Sequence, residues 1–246
     1  MKPVRRICLF LALGLLMCAP DTSVAAEDPE PLLTQTDILL DVGHGGIDSG
    51  TLHQHILEKD INLQISRIVY NKLQAKGYKV VMNRLGDYAL SDDNRWLRAR
   101  SRHTRDLAHR SKLANDLKPK AMISIHVNWS PKKHRRGGIV LHQKSSSSIL
   151  LAQSIQNRLN EFYGMQESIV RGKTFYLLNY SKVPSVIAET GFISNASDRQ
   201  LLTDPKGQEL IAQTIAAGID DYMTAIHKGV SETNEPNSKK DNSSSR

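Results

Sequence analysis

The sequence predicts an α/β fold: a mixed, largely parallel central sheet flanked by helices, giving a three-layer sandwich. Three observations predict it. Apolar runs of strand length alternate with longer segments of helical periodicity. The runs DILLDV and AMISIHVN are almost continuously apolar, as in strands covered on both faces. The 246 residues are 39% hydrophobic and 24% charged, enough for one well-cored domain.

The elements follow in order. Residues 1–26 read as a secretory signal peptide. Lys2, Arg5 and Arg6 precede an apolar run from Ile7 to Cys18, and Val24-Ala25-Ala26 ends the segment with small residues. That run is too short for a comfortable membrane span, so no transmembrane segment is expected in the mature protein. Residues 27–35 form a short leader and 36–228 the folded domain. DILLDV is its first strand. In EKDINLQISRIVYNKLQAKG, Ile61, Ile65, Ile68, Val69 and Leu73 share one helical stripe, and Gly77 is the natural stop. YKVVMNR is a short strand. A strongly basic helix is expected from about Asp92 to Leu117, ended by Pro119. AMISIHVN and GGIVLHQ are strands, and SILLAQSIQNRLNEFYG is a helix closed by Gly164. TFYLLNY and SVIAETGF read as strands, and GQELIAQTIAAGIDDYMTAIHKG as a last amphipathic helix. Residues 229–246 read as a disordered polar tail.

Both cysteines, Cys8 and Cys18, lie in the signal segment. The mature chain would have no disulfide, and a metal site would draw on His, Asp or Glu. The formal net charge is +8; residues 1–26 carry Lys2, Arg5, Arg6 and Asp21, so the remainder is near +6. The excess is spread over Lys118, Lys120, Lys132, Lys133, Arg135 and Arg136 among others. It suits either a solvated basic face or a polyanionic surface such as a cell wall, membrane or nucleic acid. No nucleic-acid-binding motif accompanies it, so no nucleic-acid partner is expected.

The chemistry is carried by polar residues that interrupt or follow apolar strands. His44 follows DILLDV, His126 lies near the end of AMISIHVN, and Glu189 interrupts SVIAETGF. Ligands of open α/β sheets collect beyond the carboxyl ends of strands, so these three converge on one rim. Glu58 opens the first helix. Two imidazoles and a carboxylate suit Zn²⁺ and leave the fourth tetrahedral position to a water, whose pKa zinc lowers toward neutrality. Glu189 remains as the proton carrier. Spacing alone leaves His53 and His55, just before Glu58, as rival ligands. The glycines of GHGGIDSG are not followed by the Lys-Ser/Thr of a phosphate loop.

DVGHGGIDSG, LEKDINLQIS, ISIHVN and VPSVIAETGFISNASD, in that order, resemble the four signature blocks of the zinc-dependent N-acetylmuramoyl-L-alanine amidases of the amidase-3 type. The similarity spans roughly Thr36 to His227. It implies His44, Glu58 and His126 as zinc ligands and Glu189 as the catalytic glutamate. The implied substrate is peptidoglycan, cut at the amide between N-acetylmuramic acid and L-alanine of the stem peptide. The implied location is the periplasm or cell wall, with an activator or targeting protein as a further partner. Some members insert an inhibitory helix after the SIHVN-like block; here WSPKKHRR alone separates Asn128 from Gly137, too little for a helix of that kind. Arg171 is a weaker candidate for an anionic part of the stem peptide. The rival readings are a zinc carboxypeptidase acting on the stem peptide and a non-catalytic wall-binding protein, which would have no need of Glu189.

Overall fold

A computed structural model of the chain describes residues 35–92, 97 and 100–233. The signal peptide, most of the leader, and the tail beyond residue 233 lie outside the described residues. The six-stranded sheet has the order β4-β1-β5-β8-β6-β7, built from β1 (Ile38–Val42), β4 (Val80–Met82), β5 (Ala121–Asn128), β6 (Ile139–His142), β7 (Val170–Arg171) and β8 (Ser185–Phe192). β4, β1, β5 and β8 are mutually parallel; β6 runs antiparallel to β8 and carries β7 parallel to itself. The mixed, largely parallel sheet is the one expected.

Strand alternation divides the side chains between two helical layers. Ile38, Leu40, Ile123, Ile125, Val127, Val186 and Ala188 face the large core. There they meet α1 (Glu58–Ala75), α3 (Ser146–Tyr163) and α6 (Pro205–Thr233). On α6, Ile211, Ile215, Ile219 and Tyr222 form a buried stripe against α1 and α3. Each such side chain contributes about 1.5–3 kcal/mol by burial. Leu39 and Met122 face the other way, toward Ala114 of α2 (Arg102–Leu117) and Leu177 of α4 (Tyr176–Tyr180). Among the described residues no helix is long and apolar enough to cross a membrane.

The structure corrects several element assignments. TFYLLNY holds helix α4, not a strand. Tyr176 and Tyr180 stack with centroids 4.2 Å apart, a pairing that helical i, i+4 spacing permits. The basic helix begins at Arg102 instead of near Asp92, because the Ser101 hydroxyl accepts from the Thr104 amide and caps it there. Leu90–Asp92 form a separate 3₁₀ turn. Helix α5 (Ala196–Thr203), capped by Asn195, was not expected, nor was the small hairpin of β2 (Leu52–His53) and β3 (Ile56–Leu57). α6 continues to Thr233, so residues 229–233 of the expected tail are helical. The stretch between β5 and β6 contains no helix.

Candidate metal centre and active site

The site lies at the carboxyl ends of the three central neighbours β1, β5 and β8. Beyond β1 the chain enters the glycine loop, and His44 adopts a left-handed conformation with φ 59°. The loop is stitched to α1: the amides of Glu58 and Lys59 donate to the carbonyls of Thr51 and Ser49. These bonds occupy N–H groups that a helix start leaves without intrahelical partners. They also set Glu58, in the first turn of α1, directly beneath His44.

Glu58 is buried and divides its two oxygens. Oε2 accepts from the Thr51 amide at 2.7 Å, which fixes the carboxylate plane. Oε1 accepts from the Val127 amide at 3.0 Å and lies 3.2 Å from His44 Nε2 and 3.0 Å from His126 Nδ1. Ligands of a tetrahedral zinc ion at bond lengths near 2.0–2.1 Å are about 3.3 Å apart. One donor atom from each of His44, Glu58 and His126 lies within 4.8 Å of the other two, so this group could hold a metal ion. The two rings meet edge to face with centroids 4.8 Å apart.

Two glycines make this packing possible. A Cβ on Gly43 would come within 2.6 Å of the His126 ring and 2.7 Å of the Ile125 carbonyl. Gly50, at φ 64°, lies so close to His44 and Glu58 that a Cβ would approach both within 2.6 Å.

Asp48 was not foreseen. Its Oδ2 lies 2.9 Å from His44 Nδ1, which turns Nε2 toward Glu58 and His126. A carboxylate behind a ligating imidazole fixes the ring's orientation and raises its basicity. The i+4 spacing within GHGGID was the available signal. Burial opposes a charge on His44, but Asp48 and Glu58 outweigh it and raise its pKa to about 9. The Asp48 carboxyl is held far below its ordinary range by its bond to His44, against the opposing effect of burial. Burial pushes the Glu58 carboxyl up, but His126 and His44 more than reverse this.

Glu189 sits beside His126 in the β5–β8 register, so both side chains project from the same face of the sheet. The Thr190 hydroxyl donates to the His126 carbonyl at 2.9 Å and ties the strands at this level. Glu189 Oε2 is buried with no hydrogen-bond partner among the described residues. Burial raises the Glu189 pKa to about 7; His126 and His44 oppose the rise and Glu58 adds to it. A carboxyl with that pKa can both take and return a proton near neutrality. The register shifts between His126 and Asn128, a bulge at the rim of the site.

These residues open into a cleft of about 360 Å³. Asp48 and His103 lie on its polar wall, and Trp129, Phe175 and Leu177 supply apolar surface. His53 belongs to the hairpin and His55 to its exposed turn, and neither lines the cleft. Arg171 is exposed on the edge strand β7, also outside the cleft lining.

Comparison with known proteins places the chain in a family. The family model described as N-acetylmuramoyl-L-alanine amidase, of the amidase-3 type, matches residues 38–221. The chain is 34% identical over 217 residues to the uncharacterized protein YqiI of Bacillus subtilis (strain 168), covering 87% of this chain and 97% of that protein. It is also 34% identical over 191 residues to the germination-specific N-acetylmuramoyl-L-alanine amidase of the same organism, covering 76% of this chain and 79% of that one. Among solved structures it is similar to the CwlD amidase from Clostridioides difficile, determined in complex with the GerS lipoprotein. The TM-score is 0.72 at 31% identity, over 77% of this chain and 99% of that one. The matched span contains His44, Glu58, His126 and Glu189, and the chain belongs to the amidase-3 family of N-acetylmuramoyl-L-alanine amidases.

Proposed function

We propose that the chain is an exported, zinc-dependent amidase of peptidoglycan. It hydrolyses the amide between the lactyl group of N-acetylmuramic acid and L-alanine of the stem peptide. The observation that carries the reading is the unpartnered, buried Oε2 of Glu189 beside His126 in the sheet register. A carboxyl oxygen without a partner costs stability, and a reacting proton gives it one.

His44, Glu58 and His126 would hold the metal, and their two-nitrogen, one-oxygen donor set suits zinc. Zinc, when bound, supplies Lewis-acid polarisation of the amide carbonyl and makes water acidic enough to attack at neutral pH. Glu189 takes the proton of the attacking water and returns it to the departing amine of L-alanine. The carbonyl carbon gains oxygen, the C–N bond breaks, and a lactyl carboxyl and a free α-amino group result. Asp48 keeps His44 oriented throughout.

Residues 1–26 have the makeup of an export signal, which suits a substrate in the periplasm or cell wall. The CwlD relative is solved with a lipoprotein, and the reading includes an activator or targeting protein here as well. Digestion of purified peptidoglycan followed by mass analysis tests the whole. Stem peptides beginning with a free L-alanine amino group are expected; release of a terminal D-amino acid instead would identify a carboxypeptidase.

A further inference from the structure

Three successive carbonyls, from the last residue of β1 into the loop that carries His44, accept hydrogen bonds from buried guanidinium groups. Arg110 of α2 donates through Nη1 to the Val42 carbonyl at 2.6 Å and through Nη2 to the His44 carbonyl at 2.8 Å. Arg84, just after β4, donates through Nε to Val42 at 3.3 Å and through Nη2 to Gly43 at 3.0 Å. Both arginines are at most 3% exposed.

Two buried cations around one turn of backbone are costly, and the fold counterbalances only one of them directly. Arg110 pairs with Asp41 through Nη1 at 3.0 Å and with Asp106 through Nε. Asp41 is itself fixed by Ser124 and Asn83. Among the described residues Arg84 pairs with no carboxylate; its remaining bonds go to the carbonyls of Gly86 and Lys59. Burial, and Arg110 beside it, lower the Arg84 pKa to about 10.

Of the three residues so held, His44 has the least comfortable backbone. His44 has φ 59°, a conformation that side-chain-bearing residues adopt rarely and only where surroundings impose it. Its carbonyl is gripped by Arg110 and its Nδ1 by Asp48, which leaves Nε2 3.2 Å from Glu58.

We propose that Arg110 is a positioning residue for the metal: by clamping the His44 carbonyl it holds the left-handed turn that presents Nε2 to Glu58 and His126. This rests on the reading of His44 as a metal ligand. It makes metal affinity a property of α2, which contributes no ligand of its own.

Zinc affinity, by competition with a chromophoric chelator, and the visible spectrum of the cobalt-loaded protein test this. Both are read without substrate, so they separate failure of this inference from failure of the amidase reading. Arg110→Gln should weaken zinc binding roughly 10–100-fold and alter the cobalt spectrum, on the scale seen when support behind a metal ligand is lost. Arg110→Lys, which keeps the charge and some of the donors, should recover part of the affinity. Circular dichroism and melting of the metal-free variants establish that they are folded. A folded Arg110→Gln protein with wild-type zinc affinity and cobalt spectrum overturns the proposal. If Arg110→Gln does not fold, Asp106→Asn decides, since it removes the charge that orients Nε and leaves the guanidinium in place. A several-fold loss of zinc affinity supports the clamp, and unchanged affinity overturns it. A wild-type chain that takes up no zinc overturns it together with the ligand assignment.

Discussion

His126 and Glu189 are direct register partners on the neighbouring parallel strands β5 and β8. The candidate ligand and the candidate proton carrier thus owe their proximity to backbone pairing. Glu189→Gln leaves that pairing and the side-chain volume intact and removes only the ionisable group. Turnover of muropeptides should fall about 10²–10⁴-fold while zinc content stays at the wild-type level. Undiminished hydrolysis would remove Glu189 from the proposed role.

Chelation should abolish the activity reversibly. Dialysis against a chelator is expected to reduce stem-peptide release to background, and one equivalent of zinc should restore it. Magnesium should not, because two imidazole nitrogens are poor partners for a hard, oxygen-seeking cation. Equal restoration by magnesium would contradict the ligand assignment.

Gly43→Ala tests the close approach behind His126. The new methyl would meet the ring at 2.6 Å and the Ile125 carbonyl at 2.7 Å, and the latter is backbone that cannot swing aside. We expect about 1–3 kcal/mol of destabilisation from overpacking, together with reduced zinc occupancy. Denaturant titration and metal analysis read the two effects separately.

The pH dependence follows from His44. Without metal its pKa lies near 9, above the ordinary 6.5, with Asp48 and Glu58 outweighing burial. A pKa raised by folding contributes stability that is full below 6.5 and lost as pH rises through about 9. Melting of chelator-treated protein across that window should show the loss, and Asp48→Asn should flatten it. Zinc displaces the same proton, so its apparent affinity should increase with pH up to about 9 and then level off. Calorimetry in buffers of different ionisation enthalpy would count the protons released.

The sheet, and His126 and Glu189 within it, were legible because they rest on periodicity; the preference for His44 and Glu58 over His53 and His55 came from the resemblance of the signature blocks. Apolar runs such as DILLDV mark doubly covered strands, and His126 and Glu189 stand out as polar residues within such runs. TFYLLNY was misread because seven residues with aromatic and leucine content satisfy strand and helix patterns alike. Tertiary packing of Leu177 and Leu178, both buried, settled it. Arg110 was invisible for another reason. In a stretch crowded with arginines, burial and the carbonyls of residues 42 and 44 single out one, and those carbonyls lie 66–68 positions away. Asp48 was written four residues after His44, but nothing local told an orienting carboxylate from an ordinary turn aspartate.

The order of the strands along the chain bears on how the protein is made. The loop after β1, the start of α1 and β5 carry His44, Glu58 and His126 and are complete by residue 128, whereas Glu189 belongs to β8, at residues 185–192. Synthesis proceeds from the amino terminus, so a growing chain owns its candidate metal-binding side chains well before its candidate proton carrier. On the proposed reading, a chain halted before β8 has the metal-binding group without Glu189. In the finished sheet β8 lies between β5 and β6, so on the proposed reading the residue that moves the proton is the last of the four to be synthesised and sits at the centre of the sheet.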